Sequence, residues 1–79
     1  MKALLNVAGP QIRKIRYRQE MTQETLAARC EVGGLIMSRS TLAKIEVQIR
    51  CVTDAELLAL AKALKVKMKD LFPDHASLF

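Results

Sequence analysis

TQETLAARCEVGGLIMSRSTLAKIE, residues 22–46, reads as a helix, a glycine turn and a second, shorter helix. Thr22 and Ser38 each stand one residue after a methionine and four before a leucine, Met21-Thr22 with Leu26 and Met37-Ser38 with Leu42. This is the spacing of a hydroxyl N-cap inside a hydrophobic staple, where the cap oxygen accepts an orphaned backbone N–H and the flanking apolar pair fixes the entry of the chain. Between the two helices Gly33 and Gly34 supply the backbone freedom to end the first. The second helix has a divided wheel: Leu42 and Ile45 share one side, Ser40, Ala43, Lys44 and Val47 the other, and Arg39 projects from its first turn. An apolar back thus anchors a short helix whose outer face is small and cationic. A major groove about 12 Å wide admits such a helix, and Arg or Lys can donate to the O6 and N7 acceptors of guanine.

The same punctuation recurs further along. Val52-Thr53 with Leu57 repeats the staple, and Thr53-x-x-Glu56 is a capping box. Gly9-Pro10 marks a fourth start, because proline loses nothing at the first helical position. Helices are expected at about 10–20, 22–33, 38–47, 53–65 and 67–72. Their inner faces would comprise Ile12, Ile15 and Gln19; Leu26, Ala27 and Cys30; Leu42 and Ile45, with Ile49 just beyond; and Leu57, Leu60, Ala61 and Leu64. Val66, Met68, Leu71 and Phe72 would close the core.

Composition agrees with one small, all-α domain. The chain has 79 residues, of which 51% are hydrophobic, enough to fold around; only 3 Gly and 2 Pro interrupt it and only 4% is aromatic, which disfavours a β sandwich. No stretch approaches the roughly 18 apolar residues of a membrane span, and MKALLNVAGP is too weak for a secretory signal, so a cytoplasmic protein is expected. Two cysteines and one histidine cannot close a four-ligand zinc site. Cys30 and Cys51 both fall in apolar patterns and read as reduced, buried thiols. His75 stands alone; there is no glycine-rich phosphate loop, carboxylate pair or nucleophile–base pair, so neither an enzyme nor a cofactor is expected. The net charge of +5 suits an anionic partner without establishing one. The cations do not gather on one strongly amphipathic face, which argues against a membrane surface.

One pair of charges reads as architecture. Arg16 lies about 40° from the apolar direction of Ile12 and Ile15, and Glu46 lies likewise beside Leu42 and Ile45. Opposite charges at the rims of two inner faces predict a partly buried ion pair joining the first and third helices.

IRKIR in the first helix, TQETLA opening the second, STLAKIE in the third and ELLALAKALKV ending in LF together resemble the helix-turn-helix domain of the phage repressor, Cro and xenobiotic-response-element regulator superfamily. The resemblance covers residues 10–72 and implies a compact five-helix, lambda-repressor-like bundle, with an N-terminal arm over 1–9 and a tail over 73–79. It implies a sequence-specific DNA-binding regulator of bacterial or phage origin, expected to repress, associated with the nucleoid, whose third helix reads the major groove. Carried onto this sequence, Arg39, Ser40, Thr41 and Lys44 are the base-contacting candidates and Gln23 a phosphate contact. Arg50 and Arg18 are further phosphate candidates; Arg13 and Lys14 read as mainly solvated. The Arg16–Glu46 pairing is implied as well. The usual partner is a pseudo-palindromic duplex bound by a homodimer, with exposed apolar candidates for the dimer contact in Leu4, Leu5 and Val7 and in Phe72, Leu78 and Phe79. The other reading is a protein-interaction module, such as an antitoxin or adaptor, on the same scaffold.

Two features depart from the family pattern. The stretch from Leu26 to Glu46 is longer than in commoner members, by residues within Cys30–Met37; Leu35 and Ile36 are expected to form a small satellite of the core. After the third helix Gln48 stands where glycine is frequent, so either a side chain enters the left-handed region at a cost of about 1 kcal/mol or the helix ends otherwise.

Overall fold

A computed structural model describes residues 4–73. Leu78, Phe79 and His75 lie outside them. The described residues form α1 (Gly9–Arg18), α2 (Gln23–Val32), α3 (Arg39–Glu46), α4 (Asp54–Leu64) and a 3-10 helix (Met68–Leu71), with no strand among them.

The starts of α2, α3 and α4 share one device. The hydroxyls of Thr22, Ser38 and Thr53 accept the backbone N–H of Thr25, Thr41 and Glu56 at 3.0, 3.0 and 3.1 Å. Glu56 reaches back to the Thr53 N–H at 2.9 Å, completing the capping box. Met21 and Met37 are buried beneath these caps, as are Leu26, Leu42 and Leu57. The ends of the helices are less conventional. Glu20, Gln48 and Lys65 occupy the left-handed region at φ of 53°, 68° and 58°, as does Gly34 at 102°. Gln48 therefore takes the strained alternative.

Packing runs α1 on α3, α2 on both α3 and α4, and the 3-10 helix into the gap between α1 and α4. Ile12, Leu26, Leu42, Ile45, Leu60, Leu64 and Leu71 are fully enclosed at the centre. Gly9 makes the α1–α3 contact possible: a Cβ there would strike the backbone carbonyls of Ile45 and Glu46. Asn6 braces the same junction. Its Oδ1 accepts the Gly9 N–H at 2.7 Å, and its Nδ2 donates to the carbonyls of Ile45 and Arg50 at 3.0 and 2.8 Å. Gln48 closes the clasp, donating from Nε2 to the Asn6 carbonyl while its own carbonyl accepts the Leu5 N–H. The segment before α1 is thus strapped to the end of α3, with Leu4, Leu5 and Val7 left exposed.

Several expectations need correction. The fifth helix is a single 3-10 turn. Phe72 precedes Pro73 and is pushed out of the helical region to φ −100°, ψ 149°, and its side chain is exposed; Leu71 is fully buried, and Val66 and Met68 pack partly buried against the core. Cys30 is buried, but Cys51 sits in the α3–α4 connection and is exposed. Ile49, beyond the left-handed Gln48, turns outward as well. Leu35 packs against the core, whereas Ile36 is 86% exposed and Met37 takes the buried place. Gln19 is exposed, though its amide donates to the Leu64 carbonyl at 2.8 Å.

Candidate nucleic-acid interface

The outer side of α3 follows from its inner side. With Leu42 and Ile45 sealed in the core, Arg39, Ser40 and Lys44 are open to solvent. Thr41 is half-buried, and its Oγ1 accepts the Ser38 hydroxyl proton at 3.0 Å, so its side chain serves the cap. Arg39 extends toward α2, where its Nε lies 3.8 Å from Glu24 Oε1; both side chains remain exposed.

Behind this face α1 and α3 are joined by an ion pair. Arg16 Nε and Nη2 donate to Glu46 Oε2 and Oε1 at 2.8 and 2.9 Å, and Nη1 donates to the Met21 carbonyl at 2.8 Å. Hydrogen bonding to Glu46 raises the Arg16 pKa above its ordinary value against the opposing effect of burial. Gln23, the first residue of α2, donates from Nε2 to the same Glu46 Oε1 at 3.1 Å. One carboxylate therefore ties three helices together. It also fixes the side chain that stands at the N-terminus of α2, where free backbone N–H groups favour an anion.

Between α1, the start of α2 and α3 runs a groove lined by Arg13, Tyr17, Gln23, Glu24, Arg39 and Val47, with the Arg16–Glu46 pair at its floor. The Tyr17 ring centre lies 4.7 Å from Arg16 Cζ and 5.3 Å from Arg13 Cζ, a double cation–π contact. The Arg13 guanidinium, and after it Arg16, hold the Tyr17 phenol below its ordinary pKa.

Gln23 and Arg39 are brought to this groove, and Ser40 and Lys44 lie on the exposed face of α3. Arg18 and Arg50 do not line it. Arg18 borders a separate depression with Gln11, Ile15, Val66 and Phe72. Arg50 is forked onto Glu56, Nη1 to Oε1 and Nη2 to Oε2 at 3.0 Å each, with a further bond to the Cys51 carbonyl. That contact raises the Arg50 pKa and lowers that of Glu56. The sequence reading of Arg50 as a phosphate contact overlooked this competing carboxylate. It also overlooked Tyr17 and Glu24. Arg13 and Tyr17 are one helical turn apart, a signal that was present; the approach of Glu24 to Arg39 depends on how α2 crosses α3, which no local pattern reveals. Among the described residues no helix is long and apolar enough to cross a membrane, and no His, Cys, Asp or Glu cluster could hold a metal.

Comparison with known proteins bears on this geometry. A helix-turn-helix family model matches residues 12–71. The crystal structure of the restriction-modification controller protein C.AhdI from Aeromonas hydrophila superposes with a TM-score of 0.76 at 31% identity, covering 86% of this chain and 96% of that one. No curated protein matches.

Proposed function

The chain belongs to the helix-turn-helix family, in its Cro/C1-type group of DNA-binding transcriptional regulators, and we propose that it recognises a specific double-stranded operator by placing α3 in the major groove. The observation carrying this reading is the sidedness of α3: Arg39, Ser40 and Lys44 are solvent-exposed while Leu42, Ile45 and Glu46 are buried. Arg39 and Lys44 would donate to guanine acceptors, each good contact discriminating by about 1–3 kcal/mol. Ser40 would add a shorter polar contact, and Thr41, committed to the Ser38 cap, a lesser one. Gln23 and the first N–H groups of α2 would hold a backbone phosphate, fixing register without reading sequence.

One short helix spans few base pairs, so the reading includes a homodimer on a pseudo-palindrome. Residues 10–72 would be the DNA-binding unit, acting at the nucleoid in the cytoplasm. Repression would follow from occupying a promoter. The likeness to a restriction-modification controller supports a regulatory role of that kind.

Selecting bound duplexes from a random pool at about 150 mM salt tests the reading, because nonspecific cation binding weakens steeply there. Enrichment of a two-fold-related sequence is expected. Arg39→Ala or Lys44→Ala should then relax the preferred sequence, and Gln23→Ala should weaken all sequences alike. A pool that yields no preferred sequence, beside capture of a partner protein by the α3 face, would favour an interaction module.

A further inference from the structure

The groove holds three arginines, and two of them have carboxylate neighbours: Arg16 is bound by Glu46, and Arg39 leans on Glu24. Arg13 has none among the described residues. It is exposed, and its guanidinium rests against the Tyr17 ring. Tyr17 in turn rests against Arg16, which Glu46 and the Met21 carbonyl hold in place. The ring is thereby supported from below, and Tyr17 is 58% exposed, with its phenol beside the Arg13 guanidinium. A second depression carries the same surface on past Lys14 to Gln48 at the end of α3. Meanwhile Arg50, the cation that follows α3 in the chain, is matched by Glu56.

We infer that Arg13 and Tyr17 form a clamp for a DNA backbone phosphate on α1, continuing along the groove from Gln23. This rests on the DNA reading above and extends it to a helix that the reading leaves as scaffold. A phosphodiester oxygen accepts from a guanidinium and from a phenol hydroxyl alike. The two guanidiniums beside the ring, Arg13 above all, also lower the phenol pKa, in keeping with this geometry. The anion is a duplex backbone because the groove opens beside α3: whatever polyanion α3 engages passes over Arg13. Ordering by Arg16 means that little side-chain freedom of Tyr17 is left to lose on binding.

The test compares full-length wild type with Arg13→Gln, Tyr17→Phe and Lys62→Gln, the last removing an equal charge on α4 outside the groove. Affinity for the wild-type-selected duplex and for random duplex is measured across a salt series, beside thermal melting of each protein. Arg13→Gln is expected to weaken both duplexes by a similar factor and to reduce the log–log salt slope by about 1. Tyr17→Phe keeps the ring over Arg16; it should weaken both duplexes several-fold with the slope and the melting temperature unchanged. Lys62→Gln should leave the slope as in wild type. A Tyr17→Phe protein that binds like wild type, or equal slopes for Arg13→Gln and Lys62→Gln, would overturn the clamp while leaving the α3 reading standing. A wild type that selects no sequence and loses all DNA at moderate salt would overturn both.

Discussion

Arg16 is held on every side: by both oxygens of Glu46, by the Met21 carbonyl and by the face of Tyr17. Its worth lies less in net attraction than in what its loss exposes. Removing one partner of a buried pair strands the other charge and costs about 3–5 kcal/mol, whereas an exposed substitution stays within about 0.5 kcal/mol. Arg16→Ala should therefore lower the urea midpoint far more than Arg13→Ala, and equal midpoints would contradict the account. The Arg50–Glu56 fork makes a different prediction. Its folded-state carboxyl has a lowered pKa and so binds a proton less readily than in the unfolded chain. The contribution is present in full above the ordinary carboxylate range and is lost as pH falls through the lowered value. Glu56→Gln, which preserves the cap, should be less stable than wild type at neutral pH. The difference should narrow in acid; a constant gap from pH 7 to pH 2 would remove the ionic origin. At this scale the Arg16–Glu46 partnership was legible because each residue sits at a fixed angle from its own helix's apolar stripe. The Arg50–Glu56 fork was not, since a helical wheel says nothing across the connection at residues 51–53.

Helix starts and helix ends contrast sharply. Starts are written in local chemistry: a hydroxyl three residues before the N–H it satisfies, with an apolar residue on either side. Thr22, Ser38 and Thr53 could be read for that reason, and Thr22→Ala or Ser38→Ala should each cost about 1 kcal/mol in denaturation. Ends depend on which residue tolerates a left-handed backbone, and here Glu20, Gln48 and Lys65 do so without being glycine. Lys65 is exposed and forms no bond through its side chain among the described contacts, so Lys65→Gly should stabilise by up to about 1 kcal/mol as measured by the melting midpoint. Gln48 differs, since its amide holds the Asn6 carbonyl, and Gln48→Gly should gain less. The 3-10 turn shows how a single proline shortens an element. Leu71 and Phe72 belong to one apolar run, yet Pro73 sends only one of them inward. Asn6 gave no sequence signal because a buried asparagine that joins three carbonyl and amide groups leaves no periodic trace.

Across the whole molecule the cations are unevenly used. Arg16 and Arg50 brace the fold; Arg39, Lys44 and Arg13 stand at or beside the outer face of α3. A two-fold assembly on DNA should therefore leave two protected patches about 34 Å apart on one side of the duplex in a footprint. A single patch, together with a monomer in sedimentation, would remove the dimer. The exposed Leu4, Leu5 and Val7 are held in place by the strap through Asn6, so any dimer contact made there would be formed on an ordered surface.

The two cysteines, one enclosed between helices and one open on a connection, turn the protein into its own reporter of unfolding. Burial both hides the Cys30 sulfur and raises its pKa, suppressing the reactive thiolate, while Cys51 faces solvent. A maleimide should add once to the native chain and a second time only when the core opens. The rate of that second addition counts opening events directly, and a fluorophore on Cys51 gives a label that leaves the interior untouched.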